Sequence, residues 1–450
     1  MKKRQLLFIS SLIFVFLPQT IFSQDENFQI IETFRKETDL LWLIIGAFLV
    51  FFMQPGFALV EAGFVRAKNT VNILMKNLSD FMISSILFFI IGFSLMFGEH
   101  ILPGIGLGMP EFANSLLYTD GQPDAYKFGF FFFQLVFAGT SATIVSGAIA
   151  ERTKFKAYLI FSAISSGLIY PVYGSLVWSH LFNQENVGIL AKYGFTDFAG
   201  STVVHSLGGW MGLAGSIIVG PRKGKYVEGG IQPILGHNLS LSMLGMFILW
   251  FGWFGFNPAS TATIRDGSFA IVAVTTNIAA AAGGLGSLLL SWYLFHRPDA
   301  SMVINGVLSG LVAITAGCYN VNVFGAMIIG FFAGIIVVIS VILLDHLRID
   351  DPVGAVSVHG TAGAWGTIAV GLFADPKFGD KKAGLLYGGG FDLLFIQTIG
   401  VIVAFVWAFS VSLLVFYLLR KTNQLRVDEY EEIEGLDIIE HGNQAYNLND

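Results

Sequence analysis

The sequence predicts an all-α membrane protein of eleven transmembrane helices, arranged as two inverted five-helix repeats followed by a long eleventh helix. Only 12% of the 450 residues are charged, about half the share usual in soluble domains, while 54% are hydrophobic. Eleven apolar stretches follow one another between residues 40 and 419, and a pattern centred on a histidine occurs once in each half of the chain. A soluble protein could not cover so much apolar surface with so few charges, whereas lipid can act as its solvent.

The composition also excludes several classes of protein. The net charge is −6 and the basic residues are scattered, which argues against a nucleic-acid binder. A single cysteine, Cys318, excludes an internal disulfide framework, a four-cysteine zinc site and an iron–sulfur cluster. No cofactor or metal is expected, because an intramembrane metal or haem site needs more ligands than two histidines provide. The protein is therefore not expected to be an enzyme.

The first 23 residues have the features of a secretory signal peptide. A basic start precedes an apolar run from Leu6 to Leu17, and Ser23 is a small residue just before a polar stretch. The alternative is a first transmembrane helix, but the run is too short to cross about 30 Å of hydrocarbon. We therefore expect residues 1–23 to be removed and the mature N-terminus to lie outside the cytoplasm.

Residues 24–420 are expected to form the membrane domain, and residues 421–450 a cytoplasmic regulatory tail. Lys and Arg number fourteen in one set of alternate loops and eight in the other, so the first set is expected inside. This predicts a multi-pass protein of the plasma (inner) membrane with its N-terminus outside and its C-terminus in the cytoplasm. Repeat one is expected over about 40–220, repeat two over about 237–374 and helix eleven over about 389–419. The expected spans lie near residues 40–64, 77–98, 128–150, 155–178, 199–220, 237–256, 268–293, 301–318, 322–344, 353–374 and 389–419.

Two histidines lie inside predicted spans, and their surroundings match. Asp197 precedes His205 by eight residues and Asp351 precedes His359 by eight, with glycines at the fourth and seventh positions after each histidine. The copies lie five spans apart, an odd number, which is typical of inverted repeats whose site lies near the midplane. Eight residues at about 1.5 Å each place each histidine roughly 12 Å deep, from opposite faces. The alternative is two unrelated histidines bonded to backbone carbonyls; the match favours a shared functional site.

Four segments carry a resemblance to a known family. They are Asp197-Phe-Ala-Gly-Ser-Thr-Val-Val-His205 with its continuation to Arg222, Glu61-Ala-Gly-Phe-Val-Arg-Ala-Lys-Asn69, Gly252-Trp-Phe-Gly-Phe-Asn257, and Asp350-Asp-Pro with Val358-His359-Gly360. In their order and their positions on the predicted spans, they resemble the ammonium transporter (Amt/Mep/Rh) family, and within it the Amt branch. The resemblance covers essentially the whole mature chain and implies an eleven-helix bundle that forms a homotrimer with one pore per subunit.

The resemblance implies an external recruitment site for ammonium. Trp178 and Ser260 resemble the residues that bind the cation there, and Phe137 resembles the floor of that site. Asp197 resembles a buried carboxylate that orients the backbone beneath the site and does not itself bind substrate.

The resemblance also implies a gated pore below that site. Phe137 and Phe256 resemble a stacked phenyl gate, and Trp253 resembles a pore-lining tryptophan. His205 and His359 resemble twin histidines that line the pore and share a hydrogen bond between their rings. No charged residue is expected to be needed along this path.

The chemistry of the cargo agrees with the resemblance. Ammonium and potassium have similar size and charge, and carrying either one intact through an apolar pore costs on the order of 20 kcal/mol by an ideal Born estimate. An amine with a pKa of about 10 releases its proton at neutral pH for roughly 4 kcal/mol, so ammonium can cross as ammonia and potassium cannot. We hypothesise that the histidines conduct the released proton separately, which gives net electrogenic uptake. A passive ammonia channel of the Rh type and an ammonium sensor are the alternatives.

Two departures from the family pattern concern regulation. The position five residues before His359 is often acidic in the family, but here it is Gly354. Any coupling in the family that relies on this carboxylate is therefore in doubt for this chain. The tail between Glu434 and Tyr446 resembles the family's regulatory tail, but Ile438-Ile439 replaces the phosphorylatable threonine of plant members. The resemblance further implies methylammonium as a substrate analogue and a PII-type signal protein as a cytoplasmic partner. A solvated, disordered tail is the alternative.

Overall fold

Long apolar helices dominate the structure. The computed structural model describes residues 28–101 and 104–446, so the predicted signal peptide over residues 1–23 lies outside the described residues. Within this part of the chain, nine helices are long and apolar enough to cross a membrane. They are Phe28–Phe64, Ala67–Phe97, Ala125–Ala148, Phe155–Leu181, Ser201–Val219, Leu239–Thr261, Ser268–Phe295, Val323–His346 and Asp392–Lys421.

Two further apolar helical segments coincide with the eighth and tenth predicted spans. Ala300–Ile314 has 15 residues, and Val356–Thr361 continues directly into Ala362–Phe373. Neither belongs to the nine helices that are long and apolar enough for a span among the described residues. The helical membrane architecture is thus confirmed, whereas the count of eleven spans stays a prediction.

Short elements connect the long helices. Two antiparallel hairpins pair Tyr118–Thr119 with Gln122–Pro123 and Tyr226–Val227 with Gly230–Ile231. The separate short helices are Ala113–Leu117, Ile189–Lys192, Leu385–Tyr387, Glu429–Glu434 and Leu436–His441.

The outer faces of the bundle expose large apolar side chains. Leu285 is 57% exposed on the helix Ser268–Phe295, and Phe395 is 68% exposed on the helix Asp392–Lys421. The helix Ala125–Ala148, by contrast, is buried along most of its length. Exposed apolar side chains on long helices are typical of a surface that contacts lipid hydrocarbon. The chain is therefore a multi-pass membrane protein.

Both predicted histidines lie on wide helical turns. His205 belongs to the π-helical turn Ser201–Ser206, and His359 belongs to the π-helical turn Val356–Thr361. Such turns are rare and often occur at functional sites, because the extra residue rotates the side chains relative to a regular helix. The local structure of the two copies therefore matches, as their sequences do.

A buried aspartate fixes the start of each of these turns. The carboxylate of Asp197 accepts hydrogen bonds of 2.8–2.9 Å from three backbone N–H groups that lie three to six residues further on. The carboxylate of Asp351 accepts bonds of 3.0 and 2.8 Å from the N–H groups four and five residues further on. Both aspartates thus satisfy N–H groups that a helix start leaves without an intrahelical partner.

Glycines let the two histidine-bearing helices touch through their backbones. A Cβ atom at Gly209 would lie 2.2 Å from the backbone nitrogen of Gly360. A Cβ atom at Gly363 would lie 2.4 Å from the carbonyl oxygen of Ser201. Such contacts are possible only without a side chain, so these glycines set the distance between the two helices.

A buried ion network joins loops that were predicted to be cytoplasmic. The guanidinium of Arg222 donates to both carboxylate oxygens of Asp350, at 2.8 and 2.9 Å, and to Glu151 at 3.1 Å. Arg152 donates to the backbone carbonyl of Asp350 at 2.6 Å. Burial alone would raise the pKa of Asp350, but the charges of Arg152 and Arg222 and the Arg222 hydrogen bonds hold it below its ordinary value.

The tail packs against these loops. Asp437 accepts a hydrogen bond from the backbone N–H of Asn72 at 2.8 Å, and Glu440 accepts one from that of Phe155 at 2.9 Å. Leu436 is fully buried. Up to residue 446, where the description ends, the tail is therefore a docked element and not a solvated, disordered one.

Candidate functional site

The two predicted histidines meet inside the bundle. Nδ1 of His205 lies 3.3 Å from Nδ1 of His359, and the ring planes are inclined by 22°. Both side chains are buried. One Nδ1 must carry a proton and the other must accept it, so the two rings adopt complementary states. The Nδ1 atoms face each other, which is not the arrangement of two unrelated histidines bonded to carbonyls.

His205 is held on its other side by a tryptophan. The rings of His205 and Trp253 stack with centroids 5.0 Å apart and planes inclined by 20°. The indole N–H of Trp253 donates to the hydroxyl of Thr315 at 2.9 Å, which fixes the indole. Among the described residues, Nε2 of His205 is buried and has no hydrogen-bond partner. This nitrogen is therefore available to a small polar molecule that passes the ring.

Two phenyl rings stack directly beside the histidines. The ring centroids of Phe137 and Phe256 lie 4.0 Å apart with planes inclined by 21°. The ring of Phe256 lies 5.2 Å from that of His205. Phe137 and Phe256 are each at most 1% exposed. A molecule moving toward the histidines from this side must displace or pass between these rings.

A cavity of about 90 Å³ lies on the other side of the phenyl pair. It is lined by Phe137, Trp178 and Ser260, the three residues that were expected to form a recruitment site. The rings of Trp178 and Phe137 meet edge to face, with centroids 6.2 Å apart. The hydroxyl of Ser260 donates to the backbone carbonyl of Phe256 at 2.7 Å, so its oxygen lone pairs are left to accept a bond from a cavity ligand.

Asp197 lies behind this cavity and does not line it. Its backbone carbonyl accepts the indole N–H of Trp178 at 2.8 Å, while its carboxylate bonds only to backbone N–H groups among the described residues. Asp197 therefore positions both the indole and the turn that carries His205.

Two cavities continue the path beyond the histidines. His359 and Glu61 line a small cavity of about 20 Å³, whose other walls are mostly apolar. Asn305 and Val353 line both this cavity and a larger one of about 130 Å³, which also contacts Arg222. The outer cavity, phenyl pair, histidine pair and two inner cavities thus follow one another through the bundle.

Neither Glu61 nor Asn305 was predicted to lie on this path. Glu61 lies within a motif quoted for the family resemblance, yet its position inside an apolar helix was itself a signal, because a buried carboxylate in a span is expensive unless it has a function. Asn305 carried no comparable signal. Within the described residues, no group of three or more His, Cys, Asp or Glu side chains is placed to hold a metal ion.

Comparison with known proteins decides the family. The family model described as the Ammonium Transporter Family matches residues 41–446. The chain belongs to the ammonium transporter family. Among its relatives, Ammonium transporter Amt2 of Archaeoglobus fulgidus is 45% identical over 418 residues, which cover 91% of this chain and 88% of the relative. Ammonium transporter 1 member 2 of Arabidopsis thaliana is 39% identical and aligns over 86% of this chain and 80% of its own length.

Solved structures of this family share the fold. A structure titled Sensor Amt Protein superposes with a TM-score of 0.85 at 41% identity, covering 91% of this chain and 100% of that one. Candida albicans Mep2 superposes with a TM-score of 0.77 at 27% identity, covering 87% of each chain. As a member of the ammonium transporter family, the protein belongs to a transport family and is not an enzyme.

Proposed function

We propose that this protein takes up ammonium electrogenically through its own pore. Ammonium binds in the outer cavity and loses a proton, and ammonia crosses between the rings of Phe137 and Phe256. The proton moves separately along His205 and His359, so each cycle carries one charge. The observation that carries this proposal is the position of the paired histidines directly behind an apolar, stacked-ring constriction.

The outer cavity has the chemistry that ammonium requires. The ring faces of Trp178 and Phe137 attract a cation, which is worth roughly 0.5–2 kcal/mol. Potassium would receive that attraction too, but only ammonium can donate a directional N–H bond to the oxygen of Ser260. Asp197 supports the site through the backbone and takes no part in binding. Methylammonium keeps N–H donors and should therefore serve as an analogue.

The constriction then selects by proton loss. Passing the intact cation between two phenyl rings costs on the order of 20 kcal/mol in the ideal Born limit. Leaving the proton behind costs roughly 4 kcal/mol, so this route dominates for ammonium and is closed to potassium. The buried Nε2 of His205 can bond ammonia, and the shared Nδ1 contact with His359 gives the proton its own route.

The same proposal includes an architecture. The two shorter helical segments, Ala300–Ile314 and residues 356–373, complete eleven crossings in two inverted repeats, with the N-terminus outside after removal of a signal peptide. The protein forms a homotrimer in the plasma membrane and serves nitrogen metabolism. The docked tail and the basic cytoplasmic loops are the surface for a PII-type regulator.

A second candidate function is ammonium sensing. The solved structure titled Sensor Amt Protein is 41% identical to this chain and is covered completely by it, so the same bundle occurs in a protein with that title. A sensor would bind ammonium in the outer cavity without moving charge at a transport rate. The passive Rh-type channel is the other alternative, and it would move ammonia without charge.

One experiment separates the three functions. Proteoliposomes containing the full protein are exposed to an inward ammonium gradient while current and internal pH are recorded, with methylammonium and potassium in parallel. Electrogenic uptake predicts a sustained current with ammonium, a smaller one with methylammonium and none with potassium. A pH change without a current would identify a passive channel. The absence of both signals would favour the sensor.

A further inference from the structure

One carboxylate oxygen of Glu61 accepts hydrogen bonds from the protein, and the other has no donor among the described residues. Its Oε2 accepts the side-chain amide of Asn77 at 3.0 Å and the hydroxyl of Ser146. No donor from the described residues reaches Oε1. The residue is only 3% exposed, so water outside the bundle does not solvate it. Because Glu61 lines a cavity, a ligand, a water molecule or a proton can complete the oxygen that has no protein donor.

The cavity beside this carboxylate has room for one small molecule. Its volume of about 20 Å³ exceeds the roughly 10–15 Å³ that one water-sized probe requires. Eleven residues line it, and of these only Glu61, Asn305 and His359 have polar side chains. Ammonia, ammonium and water are the molecules that fit this size and can bond both a carboxylate and an imidazole.

The cavity lies between the histidine pair and a larger, more polar cavity. Because Nδ1 of His359 faces His205, its Nε2 is the nitrogen left for a molecule in this cavity. The next cavity along, which shares Asn305 and Val353, is larger and also contacts charged side chains. Glu61 therefore lies where the apolar part of the path ends and a polar vestibule begins.

We propose that Glu61 and His359 form an inner site in which the separated proton and ammonia recombine. This rests on the proposed function, since it needs a proton that travels apart from ammonia. The N–H bond of His359 breaks as the proton adds to Oε1 of Glu61. The lone pair of ammonia then takes that proton, the electrons of the O–H bond stay on the carboxylate, and ammonium leaves into the vestibule. No oxidant or other reactant takes part.

Charged groups near Glu61 support this role. Lys76, Asp80 and Asp351 act electrostatically on the Glu61 carboxylate, and the charge of Lys76 has the opposite sign to those of the two aspartates. The amine of Lys76 is fully buried and donates to the backbone carbonyl of Thr153 at 3.0 Å, and the described residues contain no ion pair between Lys76 and Glu61. The carboxylate is thus polarised but not neutralised by a partner, and it can exchange its proton with a cavity ligand.

The substitution Glu61→Gln tests the site, because glutamine can still accept from Asn77 and Ser146 but cannot take up a proton. In proteoliposomes, Glu61→Gln should lower the ammonium current about 100-fold, the low end of what a positioned proton acceptor contributes. Its residual current should lose the pH dependence of the wild type. Oligomer size and thermal unfolding should stay unchanged.

Asp80→Asn is the matched control. Asp80 is a fully buried carboxylate in the same bundle, but its two oxygens both accept hydrogen bonds, from Thr143 at 3.0 Å and from Tyr158, and it does not line the cavity. Asp80→Asn should keep most of the wild-type ammonium current, with a pH profile that shifts because Asp80 and Glu61 interact electrostatically. A loss as large as that of Glu61→Gln would overturn the proposal, since removing any buried carboxyl would then explain it.

The remaining outcomes are also decisive. If the wild-type protein carries an ammonium current and Glu61→Gln shows the same current and the same pH profile, the inner site alone is overturned. If the wild-type protein carries no current, the proposed function is overturned. If Glu61→Gln does not assemble, Glu61→Asp replaces it. That variant keeps the carboxyl but withdraws it by one methylene, so its current should fall partway with a shifted pH profile, and an unchanged profile overturns the proposal.

Discussion

A methyl group at Gly209 should pull the two histidines out of hydrogen-bonding distance. The added Cβ would lie 2.2 Å from the nitrogen of Gly360, whereas ordinary contacts begin at 3.4 Å, so the two helices must separate by about 1.2 Å. If the separation acts along the line of the rings, the Nδ1–Nδ1 distance of 3.3 Å between His205 and His359 widens to about 4.5 Å. No hydrogen bond survives at that distance.

The current measures the consequence of this change. Loss of one net hydrogen bond of about 1 kcal/mol corresponds to about a fivefold slower proton step, so Gly209→Ala should lower the ammonium current at least that much. Gly325→Ala is the control, because its Cβ would meet nothing closer than 3.6 Å, and its current should equal that of the wild type. A correctly assembled Gly209→Ala variant with full current would refute the claim that the ring contact carries the proton.

Three further predictions concern the gate, the ion network and the loop before His359. Phe256→Ala removes half of the stacked pair, so potassium should gain a measurable conductance in the same liposomes, and unchanged potassium exclusion would contradict the gate. Asp350→Asn leaves the buried Arg222 with Glu151 as its remaining carboxylate partner and should lower the free energy of unfolding by about 1–3 kcal/mol, measured as a lower thermal midpoint. Gly354→Asp should destabilise the protein by about 1–3 kcal/mol, because residue 354 has φ +79° and its Cβ would lie 2.5 Å from the side-chain nitrogen of Asn305; an unaltered midpoint would show that the loop can rearrange.

The sequence was sufficient to predict the paired histidines, because their evidence is local and repeated. A matched spacing from Asp197 to His205 and from Asp351 to His359 needs only the helix rise to place both rings at one depth. The same spacing could not predict the π-helical turns, which depend on how the carboxylates bond the backbone once the helices have packed.

Other parts of the site depend on contacts between distant residues. The free oxygen of Glu61 follows from where Asn77 and Ser146 lie in space, and no local pattern in the sequence contains that information. The structure also shows that Gly354 has φ +79°, a conformation that glycine adopts without strain.

The docked tail escaped prediction for a related reason. Its acidic run is typical of a solvated segment, whereas the tail is bonded to residues more than 200 positions earlier in the chain, such as Lys223 by Glu432 and Phe155 by Glu440. Span lengths were predictable only where apolar runs are long. Ala300–Ile314 is shorter than a membrane crossing requires, so composition alone does not decide its role.

The central claim is that ammonium crosses as ammonia while the histidine pair carries its proton. The most direct test records the ammonium and potassium currents of wild-type protein and of His205→Ala in matched proteoliposomes, after confirming that both form the same oligomer. The account predicts that His205→Ala abolishes the ammonium current or leaves a cation leak that potassium shares. An unchanged ammonium current with potassium still excluded would contradict it.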